Sequence, residues 1–128
     1  MRLLLDTHLL LWAAGQPKKL PAAARKMIAN PRNSLCFSAA SLWEIAIKNA
    51  LGRNDFHADP GVLRRGLLES GYEELPITGD HAMAAAVLPA LHGDPFDRIL
   101  VAQAAVEGMM LVTADAQVAK YPGSIRRV

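Results

Sequence analysis

At 128 residues and a formal net charge of +2, the chain has the size of one common domain, and roughly 65–70% of its unfolded surface can be buried on folding. The near-neutral balance excludes the strongly basic field by which composition alone marks a nucleic-acid binder, and a single cysteine, Cys36, leaves no internal disulfide framework. Hydrophobic residues make up 52% of the chain with few aromatics, which suits helices on a short apolar sheet, and no apolar run approaches the roughly 20 residues of a membrane span.

Arg2 to Leu5 reads as a buried first strand, followed by a helix from about Thr7 to Ala14 that stops at Gly15, with Pro17 just beyond. This N-terminal stretch has the hydrophobicity of a secretory leader, but Asp6 and His8 interrupt its apolar core, so the expectation is a cytoplasmic protein. Pro21 opens a second helix carried by Ala22 to Ala29 and ended by Asn30 and Pro31. Leu35 to Phe37 is a short second strand with Cys36 as a buried small hydrophobe, and Ser38 is a good N-cap for a helix running to Leu51 and stopped by Gly52. Leu42, Ile45, Ala46 and Asn49 fall near one face of that helix and Trp43, Ile47 and Ala50 near another, which predicts contact on two sides.

Asn54 to Pro60 reads as a loop, Gly61 to Ser70 as a helix, and Glu74 to Ile77 as a third strand. Thr78 can cap a helix through Leu88, and Pro89 to Pro95 is a turn-rich connection. The helix from about Pro95 to Glu107 is apolar almost all round and belongs deep in the domain; Gly108 ends it. Met109 to Thr113 reads as a later strand, Asp115 can cap a last short helix, and Ile125 is a candidate for a fifth, edge strand. The alternation predicts an α/β fold with a mainly parallel four- or five-stranded sheet covered on both faces, built as one domain over residues 1–128.

In such sheets ligands bind beyond the carboxyl ends of the strands. Asp6 and Asp115 lie at or after those ends, and Glu44 and Asp97 lie near the starts of helices that begin on the same side. Each acid alone has an ordinary explanation as a helix cap: Asp6 before Thr7, Asp115 before Ala116, Asp97 at the third position after an Asp94 cap, and Glu44 three residues after Ser41. Capping does not require four acids to converge on one end of one sheet. Gathered carboxylates suit a hard divalent cation, Mg²⁺ or Mn²⁺, rather than Zn²⁺ with its preference for His and Cys. His8, His57, His81 and His92 have no metal-ligand spacing and read as surface or packing residues.

Four segments in order, LLLDTHLLLW, SAASLWEIAIKNALGR from Ser38 to Arg53, HGDPFDR from His92 to Arg98 with ILVAQA after it, and LVTAD from Leu111, resemble the PIN-domain family, and more narrowly the VapC-type toxin ribonucleases of bacterial toxin–antitoxin pairs. The resemblance covers nearly the whole chain. It implies a three-layer α/β/α PIN-like domain with an acidic metal site that cleaves RNA phosphodiesters. Carried over by motif, Asp6, Glu44, Asp97 and Asp115 are the catalytic and metal-binding acids. Asp6 and Asp97 are the first choice for direct ligands, with Glu44 and Asp115 completing the shell through water or a second ion. Thr7 and Thr113 match accompanying hydroxyl positions, which either support water at the metal or merely cap helices, and Asp94 is preferred as an N-cap over a supporting acid.

Arg98 is placed either on substrate phosphate or in an ion pair with one of the four acids, while Lys48 and Arg53 default to solvated surface with RNA contact as the alternative. The basic pairs Lys18–Lys19, Arg25–Lys26, Arg64–Arg65 and Arg126–Arg127 also read as solvated faces. The resemblance further implies a small VapB-type antitoxin partner and a homodimer. Trp12, Trp43 and Leu42 either line the antitoxin groove or pack in the core. Two other functions are weighed against the ribonuclease: a module acting mainly through its protein partner, and a metal-dependent phosphatase. The latter typically has a second Asp two residues after the first, where this chain has Asp6-Thr7-His8.

Overall fold

The computed structural model describes residues 1–128. Three consecutive leucines, Leu3 to Leu5, are inaccessible in β1 (Arg2–Leu5), and a strand buried on both faces must lie inside a covered sheet. The chain continues through α1 (Thr7–Gly15), α2 (Ala22–Ala29), β2 (Ser34–Ser38), α3 (Ala39–Ala50), α4 (Pro60–Glu69), β3 (Glu73–Leu75), α5 (Gly79–Ala86), α6 (Pro95–Glu107), β4 (Met110–Thr113) and β5 (Ile125–Arg127). Single 3₁₀ turns lie at Pro17–Lys19, Asn54–Phe56 and Val118–Lys120.

The five strands run parallel in the order β3-β2-β1-β4-β5. Leu3 sits opposite Leu35 on one side and Met110 on the other. Alternation along the strands divides the core in two. Leu3, Leu5, Phe37 and Val112 face α1 to α4 and pack with Leu9, Leu10, Ile45, Phe56 and Leu63, whereas Leu4, Cys36 and Leu111 face the other way onto Leu100, Val101 and Ala104 of α6. This is the expected three-layer α/β/α arrangement.

From β1 the chain builds outward to β2 and β3, then returns to the opposite side of β1 for β4 and β5. The strand order therefore reverses between β1 and β4, and the crevice beyond their carboxyl ends is where such folds bind ligands. Asp6 follows β1 directly, and Thr113 ends β4.

Several boundaries differ from the sequence reading. β3 stops at Leu75 because Pro76 has no N–H to continue the ladder, and α4 starts at Pro60 because Asp59 caps it, accepting from Gly61 N and Val62 N. The helix expected after Asp115 is only a turn followed by one 3₁₀ turn, held short of Pro122. α5 ends at Ala86, two residues before the expected Leu88. α3 does meet neighbours on two sides, α1 and α4 on one and α6 on another, but Trp43 lies outside both contacts and is 61% exposed. α6 is buried from Leu100 to Ala104 but turns Ala105 and Val106 to solvent, then ends at Gly108 in the left-handed conformation (φ +66°).

Candidate active site

The end of β1 places Asp6 at the α1 N-cap, where one carboxylate oxygen accepts from Leu9 N at 3.0 Å and the other accepts from the Thr113 hydroxyl of β4. Asp6 thus ties together the two strands that flank the switch point. Its burial pushes its pKa up, against the lowering effect of the Thr113 and Leu9 hydrogen bonds.

The next residue, Thr7, turns its hydroxyl to α3, with Glu44 Oε1 and Ser41 Oγ as its neighbours. Ser38 begins α3 by accepting from Ala40 N, so Ser41 forms no capping box with Glu44. Glu44 is instead a buried carboxylate, 3% exposed, whose second oxygen receives the Lys48 ammonium at 2.6 Å. Lys48 continues across to Asp94 Oδ2 at 2.9 Å.

Asp94 caps α6 through its other oxygen, which accepts from Phe96 N at 2.8 Å and Asp97 N at 3.4 Å. Burial acts to raise the Asp94 pKa, but the bond and charge of Lys48 outweigh it and the net direction is down. For Lys48, burial acts to lower the pKa, and its bonds to Glu44 and Asp94 more than offset this, holding the ammonium charged.

In the first turn of α6, Asp97 is pushed up to about 6, first by burial and then by the Asp94 charge, with Glu44 adding repulsion and a hydrogen bond with His92 opposing. His92 Nε2 lies 2.8 Å from Asp97 Oδ2, and ligand atoms of His92, Asp94 and Asp97 all fall within 4.8 Å of one another.

The structure therefore draws Glu44, Asp94 and Asp97 into one electrostatic neighbourhood, with Asp6 joined to it through its chain neighbour Thr7. Asp115 is different. Its carboxylate is exposed and accepts from Gln117 N at 2.7 Å, while its backbone N–H donates to Thr113 Oγ1 at 3.0 Å. It supports the β4 end through the main chain and keeps its side chain in its own turn.

Three expectations about basic and imidazole groups need correction. Lys48 is no solvated surface lysine but the bridge between two acids; its spacing of four from Glu44 was the available signal. His92 is a partner of Asp97, although positions 92, 94 and 97 follow no regular ligand pattern. Arg98 meets no carboxylate: its guanidinium donates to the carbonyls of Ala85, Leu88 and Pro89 and to the Tyr121 hydroxyl, tying down the 87–94 connection.

His81 is fully buried in a capping box with Thr78, and His8 stacks near Phe56 and contacts Asp55, so both are packing residues as expected. Arg53 pairs with Asp55 at the surface. All four basic pairs are exposed.

His92, Asp94 and Asp97 bring two carboxylates and one imidazole nitrogen together, with Glu44 joined to them through Lys48 and Asp6 through Thr7, and this mainly carboxylate set fits a hard divalent cation such as Mg²⁺ or Mn²⁺. Fold and site together define a class: a doubly covered parallel α/β domain with an acidic, partly buried cluster at its topological switch point.

Within that class the chain belongs to the PIN domain family, which it matches over residues 3–124. It is 31% identical over 119 residues to Ribonuclease VapC22 of Mycobacterium tuberculosis (strain ATCC 25618 / H37Rv), covering 92% of this chain and 90% of that protein. Among solved structures it is similar in fold to VapBC2 from Rickettsia felis bound to a promoter DNA fragment (TM-score 0.70, 15% identity, 99% of this chain and 98% of that one). A second is DNA-bound VapBC from Salmonella typhimurium (TM-score 0.66, 18% identity, 99% and 98%).

Proposed function

We propose that this chain is a divalent-metal-dependent endoribonuclease toxin that hydrolyses RNA phosphodiester bonds and is neutralised by a small VapB-type antitoxin. The observation that carries the reading is the clustering of Glu44, Asp94 and Asp97, with Asp6 alongside, at the switch point of a PIN domain. The phosphatase alternative has no comparable support, since the second acid it typically carries is replaced by His8.

Asp6, Asp97 and Glu44 are the acids assigned to Mg²⁺ or Mn²⁺, with Asp115 acting at most through water. When bound, such an ion would supply positive charge to offset the phosphate and acidify water. The chain's own work is positioning. Thr113 and Thr7 orient Asp6 and Glu44 by hydrogen bonds, and the α6 N-terminus presents Asp97 on a fixed first turn. His92 holds the Asp97 carboxylate by one oxygen and leaves the other free. Because Lys48 offsets only part of the charge on the acids, the cluster still repels RNA, and the ion is expected to support substrate binding as well as turnover.

Partner binding is compatible with this activity. A groove of about 670 Å³ between α1 and α4, with Leu11, Trp12, Val62 and Leu63 in its walls, supports the reading of a docked antitoxin segment. VapBC complexes among the similar structures support it too. A homodimer acting on cytoplasmic RNA completes the proposal; no helix is long and apolar enough to cross a membrane.

The test is cleavage of RNA by the purified protein in Mg²⁺ or Mn²⁺, its loss in excess EDTA, and its loss in Asp6→Asn and Asp97→Asn with the circular dichroism spectrum retained. Full activity in both variants refutes the site. Co-purification with the product of a small upstream reading frame tests the partner.

A further inference from the structure

We propose that Lys48 competes with the divalent ion for the carboxylates of Glu44 and Asp94, and so sets how tightly the acid cluster holds that ion. The inference rests on the cluster being a metal site.

Lys48 is placed by more than its charge. Its side chain is 16% exposed, and its ammonium lies 4.6 Å from the centre of the Phe56 ring and 5.7 Å from that of Phe96, so two aromatic faces hold it as well as two ion pairs. The four-residue spacing on α3 aligns it with Glu44, and the reach to Asp94 joins α3 to the start of α6.

The division of carboxylate oxygens gives the competition its meaning. On Glu44, Oε1 receives the Thr7 hydroxyl and Oε2 receives Lys48. On Asp94, Oδ1 caps α6 and Oδ2 receives Lys48. On both acids, the oxygen left over by the local structure is the one the ammonium occupies. An ion drawn to either oxygen must share it with a positive charge or displace that charge.

Two effects of removing Lys48 oppose each other. The acids lose a tether, which acts to weaken binding, and the ion loses a repulsive neighbour, which acts to strengthen it. Thr7 still holds Glu44, and the helix cap still holds Asp94, so loosening is limited. A unit charge about 5 Å from a divalent ion changes the binding constant on the order of tenfold even at the dielectric constant of water. The charge effect therefore wins.

The experiment measures Mn²⁺ binding by calorimetry and electron paramagnetic resonance on the full chain at low ionic strength, for the wild type, Lys48→Met and Lys48→Arg. Lys48→Met should bind Mn²⁺ about tenfold or more tightly, and Lys48→Arg, which keeps the charge, should stay within about threefold of the wild type. Unchanged or weaker binding in a folded Lys48→Met protein overturns the inference.

Should Lys48→Met fail to fold, the wild type decides. The ε-methylene resonance of Lys48 should move in step with Mg²⁺ saturation, and a resonance that stays fixed overturns the inference. Binding lost in Asp97→Asn but unaltered in Lys48→Met refutes the role of Lys48 alone. No Mn²⁺ binding in the wild type or in any variant refutes the metal site and this inference together.

Discussion

Asp97 is held in its charged form at a cost to the fold, and Asp97→Asn should expose that cost as a gain in stability. Its pKa rises from the ordinary 3.8 to about 6, chiefly through burial and the Asp94 charge. Between those two values the folded state binds a proton that the unfolded state has released, so stability falls as pH rises through this window. The contribution is fully present below about pH 3.8 and lost above about pH 6. A shift of that size corresponds to roughly 2–3 kcal/mol.

Asparagine has nearly the same shape, can still bond His92, and carries no charge to desolvate or repel. Urea denaturation in EDTA at pH 7.5 should show Asp97→Asn more stable than the wild type by about 2–3 kcal/mol, with the gap closing toward pH 4. Saturating Mg²⁺ should narrow the gap from the other side, because an ion bound only by the wild type stabilises it by mass action. A variant no more stable than the wild type at pH 7.5, or a gap that does not change with pH, would refute the reasoning.

Asp115→Asn should reduce RNA cleavage by less than about tenfold, against a loss of more than about a hundredfold for Asp6→Asn in the same assay, because the Asp115 side chain is exposed and committed to Gln117 N. Equal losses would show that its carboxylate reaches the ion. Gln103→Leu should lower stability by about 2–4 kcal/mol in denaturant titration. This fully buried amide accepts from Ser38 at the α3 N-cap and donates to the Pro76 carbonyl, and leucine leaves the buried Ser38 hydroxyl proton without an acceptor and takes a donor from Pro76. Loss below about 0.5 kcal/mol would mean that water replaces the amide.

The layers of the fold were legible because they rest on periodicity and punctuation. The unbroken leucines of β1, the serine before α3, and the Pro95 start and Gly108 stop of α6 each carry a local physical signal. The failures concern long-range packing. Nothing local says that Trp43 faces solvent while Glu44 beside it is buried, since this inverts their ordinary preferences. Likewise, Arg98 immediately after Asp97 looked like a site residue. Its guanidinium instead serves three carbonyls, of Ala85, Leu88 and Pro89, where α5 ends and the chain loops toward α6, a need visible only once both elements are placed.

Choosing between cap and ligand for each acid was a false alternative, because a carboxylate has two oxygens. Asp6 gives one oxygen to Leu9 N and the other to Thr113; Asp94 gives one to the α6 N-terminus and the other to Lys48. In each case the helix start fixes the side chain's rotamer, and that fixing aims the second oxygen at a partner from another element, Thr113 of β4 for Asp6 and Lys48 of α3 for Asp94. Capping is the means by which a short chain holds mutually repelling acids in place without a large supporting shell. Asn is then the informative substitution at Asp6, because its carbonyl can keep the cap while its amide removes the charge. Alanine would remove both and leave folding and chemistry entangled.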